Sequence, residues 1–124
     1  MRKMRIIYMG TPEFAVPALM ALVEEGYEIP LVITQPDKPK NRGKKILPTP
    51  VKVAAESRGI SVIQPESIKG NDLLIEQIER LAPDLIVVVA YGKLLPPNLI
   101  SIPAMGCVNI HGSLLPRFRG AAPI

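Results

Sequence analysis

The chain has one cysteine, one histidine and no tryptophan in 124 residues, with only two phenylalanines and three tyrosines. The single cysteine, Cys107, excludes an internal disulfide and a multi-cysteine metal site. It sits in an apolar, strand-like segment and reads as a buried small residue, in keeping with a reducing compartment. One histidine cannot hold zinc by itself, and no metal cluster accompanies it. No apolar run approaches the ~20 residues of a membrane-spanning helix. The start, MRKMRIIYMG, lacks the long apolar run and small-residue cleavage site of a signal peptide. Nucleotide fingerprints are missing too. Gly10 is followed by Thr11, Pro12 and Glu13 where a GxGxxG motif needs further glycines, and Arg42-Gly43-Lys44-Lys45 lacks Walker A spacing.

What is present is unevenly placed. The formal net charge of +4 comes from 15 basic and 11 acidic residues. Lys38, Lys40, Arg42, Lys44 and Lys45 stand together with only Asp37 beside them, so the excess sits in one loop. That concentration suggests local contact with a polyanion more than a generally basic surface; a solvated, solubilising charge run is the alternative.

The hydrophobic pattern alternates. Arg5 to Met9 reads as a buried strand broken by Gly10-Thr11-Pro12. Pro17 opens a helix whose apolar side is Ala18, Leu19, Leu22 and Val23, and Gly26 stops it. Phe14, beside this turn, reads as a core aromatic. Ile29 to Thr34 is a second strand, and Gln35 to Pro48 a long polar connection of the kind that carries function. Thr49 caps a helix begun by Pro50 and ended by Gly59; Ser61 to Ile63 is a short strand. Asn71 caps a third helix with Leu74, Ile78 and Leu81 at helical spacing, closed by Pro83. Leu85 to Ala90, LIVVVA, is a strand buried on both faces, as in a parallel sheet covered by helices. Lys93 to Ile102 is irregular or a short helix, and Cys107 to Ile110 is the last strand. The alternation predicts an α/β fold with a mostly parallel sheet and right-handed crossovers. Ligands in such sheets bind beyond the carboxyl ends of the strands. Gly10, the basic loop and the segment after Ile110 all fall there.

Asn109 and His111 lie two positions apart, so in a strand they face the same way. An imidazole exchanges protons near neutral pH, and a carboxamide offers N–H donors to a developing oxyanion. Together they suit attack on a carbonyl or formyl carbon, with the substrate supplying its own nucleophile. The competing reading is that both tie a strand end to neighbouring backbone. Ser113, Leu114, Leu115 and Pro116 offer apolar surface and backbone polar groups to a flat ligand, or simply pack as a loop. Arg117 and Arg119 could pair with carboxylate or phosphate.

Four segments carry a resemblance: MRIIYMGTPEFAVPAL at 4–19, TQPDKPKNRGKK at 34–45, VVVAYGKLLP at 87–96 and VNIHGSLLPRFRGAAPI at 108–124. The chain closely resembles the N-terminal catalytic domain of the methionyl-tRNA formyltransferase family. The last segment is shared with the wider folate-dependent formyltransferase group; the basic middle segment narrows the likeness to the tRNA enzymes. The resemblance implies a Rossmann-like three-layer sheet of the folate-dependent formyltransferase type, incomplete at its C-terminal side. It also implies a cytoplasmic, non-membrane enzyme of translation initiation. That enzyme transfers formyl from 10-formyltetrahydrofolate, its cosubstrate, to the α-amino group of methionyl initiator tRNA, with no metal. By the same resemblance Asn109 stabilises the oxyanion and His111 assists proton movement. Ser113-Leu114-Leu115-Pro116 contacts the folate. Arg42, with Lys38, Lys40, Lys44 and Lys45, approaches the tRNA.

The family's catalytic aspartate and its C-terminal β-barrel-like tRNA-binding domain lie beyond Ile124, and neither Asp37 nor Asp84 matches that aspartate. Residues 1–124 are therefore expected to form the N-terminal part of the catalytic domain, weak or inactive when isolated. They are expected to self-associate through an exposed sheet edge, whereas the complete enzyme is expected to be monomeric. Two other readings share the motifs: a formyltransferase acting on a small-molecule amine, and a noncatalytic folate- or RNA-binding module.

Overall fold

The structure, a computed structural model, describes residues 2–40 and 45–111. Strand β1 (Arg5–Gly10) lies at the centre of a five-stranded sheet. On one side it pairs with β2 (Glu28–Ile33), which pairs with β5 (Val62–Ile63). On the other it pairs with β6 (Leu85–Val89), which pairs with β7 (Cys107–Ile110). Every pairing is parallel, and the order is β5-β2-β1-β6-β7. The chain winds outward from β1 through β2 to β5, then returns to the far side of β1 to lay down β6 and β7. The strand order therefore reverses between β1 and β6, and the crevice outside the carboxyl ends there is where such sheets receive ligands.

Strand periodicity divides the core into two layers. Ile6, Tyr8, Val32, Val87 and Val89 face one side, where α1 (Val16–Glu24) supplies Leu19 and α2 (Pro50–Ser57) supplies Val51 and Ala55. Ile7, Met9, Leu31, Ile33, Ile86 and Val88 face the other, where α3 (Asp72–Leu81) supplies Leu74 and Ile78 and the short α4 (Pro97–Ile100) supplies Leu99. Each such aliphatic side chain contributes about 1.5–3 kcal/mol by leaving water. The β-branched run of β6 is buried from Ile86 to Val89, because helices cover both of its faces.

The helices begin and end where their sequences direct. Thr49 and Asn71 accept hydrogen bonds from the backbone N–H of Lys52 and Leu74, at 3.0 and 3.1 Å. The third helix stops on Ala82, in the left-handed conformation at φ 50°, ahead of Pro83. Gly10 is required by space: a Cβ there would lie 2.8 Å from the Val89 carbonyl oxygen and 2.9 Å from the Ala15 Cβ.

Three expectations need correction. The connection from Gln35 to Pro48 is not wholly irregular; β3 (Lys38–Lys40) and β4 (Lys45–Leu47) pair antiparallel across its neck. Lysines and a proline mask strand propensity there, and a short local hairpin needs little of it. Phe14 is 41% exposed. It sits in a single 3-10 turn, Glu13–Ala15, that buries Ala15 instead. Cys107 is half-buried, because β7 borders the sheet among the described residues.

Candidate active site

The carboxyl ends of β1, β2, β6 and β7 share one rim, and two cavities open on it. The smaller, about 220 Å³, is lined by Val88, the segment Ala90 to Lys93, and Asn109, Ile110 and His111. Asn109 stands opposite Val88 in the β6–β7 register. His111 follows the end of β7 with the same parity. The carboxamide and the imidazole thus line a common space, and both residues are solvent-accessible. The geometry suits a donor that enters from outside.

The larger cavity, about 440 Å³, lies at the reversal point. Thr11 and Pro12 follow β1, Gln35 and Pro36 follow β2, and Ala90 to Lys93 follow β6. The hairpin adds Lys38 and Leu47, which are register partners, and α2 adds Thr49 and Pro50. Its wall is mainly apolar, with a few polar groups set into it. The segment from Ala90 to Lys93 borders both cavities and separates them.

That segment is held in an unusual shape. Ala90 has φ 52° and Gly92 φ 104°. A Cβ on Gly92 would meet the Gln35 Nε2 at 3.1 Å. Between them, the Tyr91 carbonyl accepts from the Thr11 hydroxyl at 2.8 Å and from the Gln35 amide at 3.0 Å. The Tyr91 side chain is buried, and burial pushes its phenol up to about 12. Among the described residues its hydroxyl has no hydrogen-bond partner. The Lys93 ammonium donates to the Glu66 carbonyl.

The base of the hairpin is tied to the rim. The Gln64 amide donates to the Asp37 carboxylate at 2.5 Å and to the Gln35 carbonyl at 3.1 Å. The Lys52 ammonium lies 3.3 Å from the same carboxylate. The Gln64 hydrogen bond, then Lys52, holds the Asp37 carboxyl below its usual range. Beneath, the Thr34 and Thr49 hydroxyls share a buried 2.8 Å hydrogen bond that joins β2 to the cap of α2.

Among the residues expected from sequence, Asn109 and His111 come together, and Lys38 reaches the larger cavity. Lys45 is exposed on β4, and Lys40 is described as backbone at the end of β3. Arg42, Lys44, Ser113, Leu114, Leu115 and Pro116 lie outside the described residues. Thr11, Gln35, Tyr91, Gly92 and Lys93 were missed as site residues. The carboxyl-end rule had already pointed to the segments after β1 and β2, which hold Thr11 and Gln35, but was not carried to the residues after LIVVVA, where Tyr91, Gly92 and Lys93 stand. Half-burial raises the Cys107 thiol above its ordinary range, which disfavours the thiolate needed for nucleophilic chemistry. Among the described residues no group of acidic, histidine or cysteine side chains could hold a metal. No helix among them is long and apolar enough to cross a membrane.

The chain has relatives among known proteins. The chain is 54% identical over 121 residues to a methionyl-tRNA formyltransferase of Caldanaerobacter subterraneus subsp. tengcongensis, a match covering 98% of this chain and 39% of that protein. It is 56% identical over 124 residues to the protein of that name from Geobacter metallireducens, covering 100% and 40%, and 57% identical to that from Geotalea uraniireducens, covering 100% and 39%. The chain thus spans about two-fifths of the length of these curated relatives. In structure it resembles the phosphoribosylglycinamide formyltransferase of Streptococcus pneumoniae, with a TM-score of 0.57 and 19% identity over 89% of this chain and 57% of that one. That likeness speaks to the fold. The sequence profile of the family described as Formyl transferase matches residues 2–124, and the chain belongs to the formyl transferase family.

Proposed function

We propose that these residues serve the transfer of a formyl group from 10-formyltetrahydrofolate to the α-amino group of methionyl initiator tRNA, in the cytoplasm, at translation initiation. The observation that carries the reading is the shared cavity of Asn109 and His111 at the end of β7. The relatives' name and the basic hairpin support the choice of acceptor.

The folate donor, when bound, supplies a one-carbon unit at the formyl oxidation level. The Asn109 amide donates N–H to the oxygen on which negative charge grows, a contribution worth about 10²- to 10³-fold when such a donor is removed. His111 takes the proton that the amine loses as it bonds to the formyl carbon, and returns it to the donor nitrogen as that carbon–nitrogen bond breaks and tetrahydrofolate leaves. The apolar wall of the larger cavity excludes water from the approaching acceptor, which strengthens the hydrogen bonds made at the rim. Ser113-Leu114-Leu115-Pro116 contacts the folate.

The hairpin fits an anionic partner. Its register sets Lys40 opposite Lys45. A phosphate backbone complements such a concentration of cations along the chain. Lys38, Lys40, Arg42, Lys44 and Lys45 then make salt-sensitive phosphate contacts.

The test uses a chimera in which this chain replaces the matching residues of the Geobacter metallireducens relative. The chimera should formylate methionyl initiator tRNA, and the 124-residue chain alone should turn over far more slowly. Arg42→Ala should weaken tRNA formylation and lower the slope of its salt dependence by about one, while formylation of a small amine is spared. Equal loss with both acceptors would favour a small-amine enzyme. Folate binding without turnover in the chimera would favour a noncatalytic module.

A further inference from the structure

We propose that Thr11 and Gln35 are positioning residues: they hold the wall between the two cavities, residues 90–93, by clamping the Tyr91 carbonyl, and so keep the acceptor cavity in register with the Asn109–His111 cavity. The kinetic part of this proposal rests on the formyl-transfer reading above; the clamp itself does not.

Three strand ends meet at this one oxygen. Thr11 follows β1, Gln35 follows β2 and Tyr91 follows β6, and the two donors reach the carbonyl at 2.8 and 3.0 Å. Two donors use both acceptor sites of a carbonyl, so the peptide after Tyr91 is fixed in orientation. The flanking dihedrals show what that orientation costs. A non-glycine residue at φ 52° and a glycine at φ 104° are conformations a free loop rarely adopts together. Gly92 also lets the segment pack directly on Gln35, where a Cβ would be 3.1 Å from its Nε2.

Both clamping side chains line the larger cavity, while the segment they hold also lines the smaller one. An acceptor in the larger cavity must reach the donor beside Asn109 and His111 past this wall. A displacement of about 1 Å in such a wall is enough to lower turnover about 10²-fold. Neither residue needs to touch reacting atoms for this; each acts through the Tyr91 carbonyl. The Gln35 carbonyl in turn accepts from Gln64, which also binds Asp37 at the base of the hairpin. The wall and the basic hairpin therefore share one anchor.

The clamp is tested by hydrogen exchange on the 124-residue chain and by kinetics in the chimera. Thr11→Val keeps shape and removes the donor; Gln35→Glu sets an acceptor against the carbonyl; Thr11→Ser keeps the donor. Thr11→Val and Gln35→Glu should speed exchange at residues 90–93 while amides in the centre of β6 keep parental protection. In the chimera they should lower kcat about 10- to 100-fold with KM for the tRNA changed less than about threefold, and Thr11→Ser should restore most of kcat. Unchanged exchange at 90–93 overturns the clamp whatever the chimera does. Loss of kcat that Thr11→Ser shares equally, or parental kcat in Thr11→Val, overturns the positioning role. An unsubstituted chimera that formylates no amine counts against the formyl-transfer reading, and the exchange experiment still decides the clamp.

Discussion

At the residue scale, the candidate site holds two residues that strand parity brings to one cavity. Asn109 on β7 and His111, one residue past its end, line one cavity, as the parity of positions two apart directs. That relation needs no knowledge of other elements, so it is legible in the sequence. Asn109→Ala in the chimera should lower kcat about 10²- to 10³-fold, and His111→Ala about 10²- to 10⁴-fold. Folate binding measured by titration should stay within a few-fold of the parent in both. Parental turnover in either variant would remove that residue from the chemistry. Thr11, Gln35 and Tyr91 are a different case. They meet through a main-chain carbonyl, at separations of 80 and 56 residues. A backbone acceptor leaves no signature in residue type, so the clamp could not be read from composition or spacing.

At the scale of elements, the third helix shows where local rules are followed and where one is broken. Asn71 caps its start as its chemistry directs. At its end Ala82 adopts a left-handed conformation that glycine adopts freely. Ala82→Gly should therefore stabilise the fold by about 1 kcal/mol, read as a higher denaturation midpoint at unchanged m; a lower midpoint would show that the position is not strained. Periodicity made the helices and β6 legible before any coordinates. It could not reveal the β3–β4 ladder, whose lysines and proline resemble a coil. The last strand has a further consequence. Val108 is 46% exposed on β7, which pairs only with β6 among the described residues. An apolar strand edge invites pairing with another chain. The 124-residue chain should therefore associate with rising concentration in light scattering, and Val108→Lys should suppress this. A parent chain monomeric at all concentrations would contradict the expectation.

At the scale of the whole molecule, the ionisable groups set opposite limits on stability. Asp84 accepts from the Arg2 guanidinium at 2.8 and 3.0 Å and from the Arg5 N–H at 2.8 Å. Arg2 first, then the Arg5 N–H, holds its carboxyl below the ordinary 3.8. A depressed carboxyl stabilises the folded state fully above 3.8, and that stabilisation disappears as the pH falls through the lower, folded value. The melting temperature of Asp84→Asn should lie below the parent's at neutral pH, and the gap should close under acid; a gap independent of pH would refute the linkage. Tyr91 acts at the other end. Its phenol is raised from 10.0 to about 12 by burial, and Tyr8 is raised by the same cause. The unfolded chain loses these protons first, so stability should fall between pH 10 and 12, with Tyr91→Phe resisting the loss. By itself, the sequence determined the alternation of strands and helices, the buried β6, the basic loop, and the pairing of Asn109 with His111. Each follows from periodicity or from the chemistry of neighbouring residues. Only the tertiary structure decided the strand order β5-β2-β1-β6-β7, the reversal between β1 and β6, and the wall that divides the rim. Those depend on which distant segments pack side by side, and that is settled by burying two faces of one sheet at once rather than by any local preference.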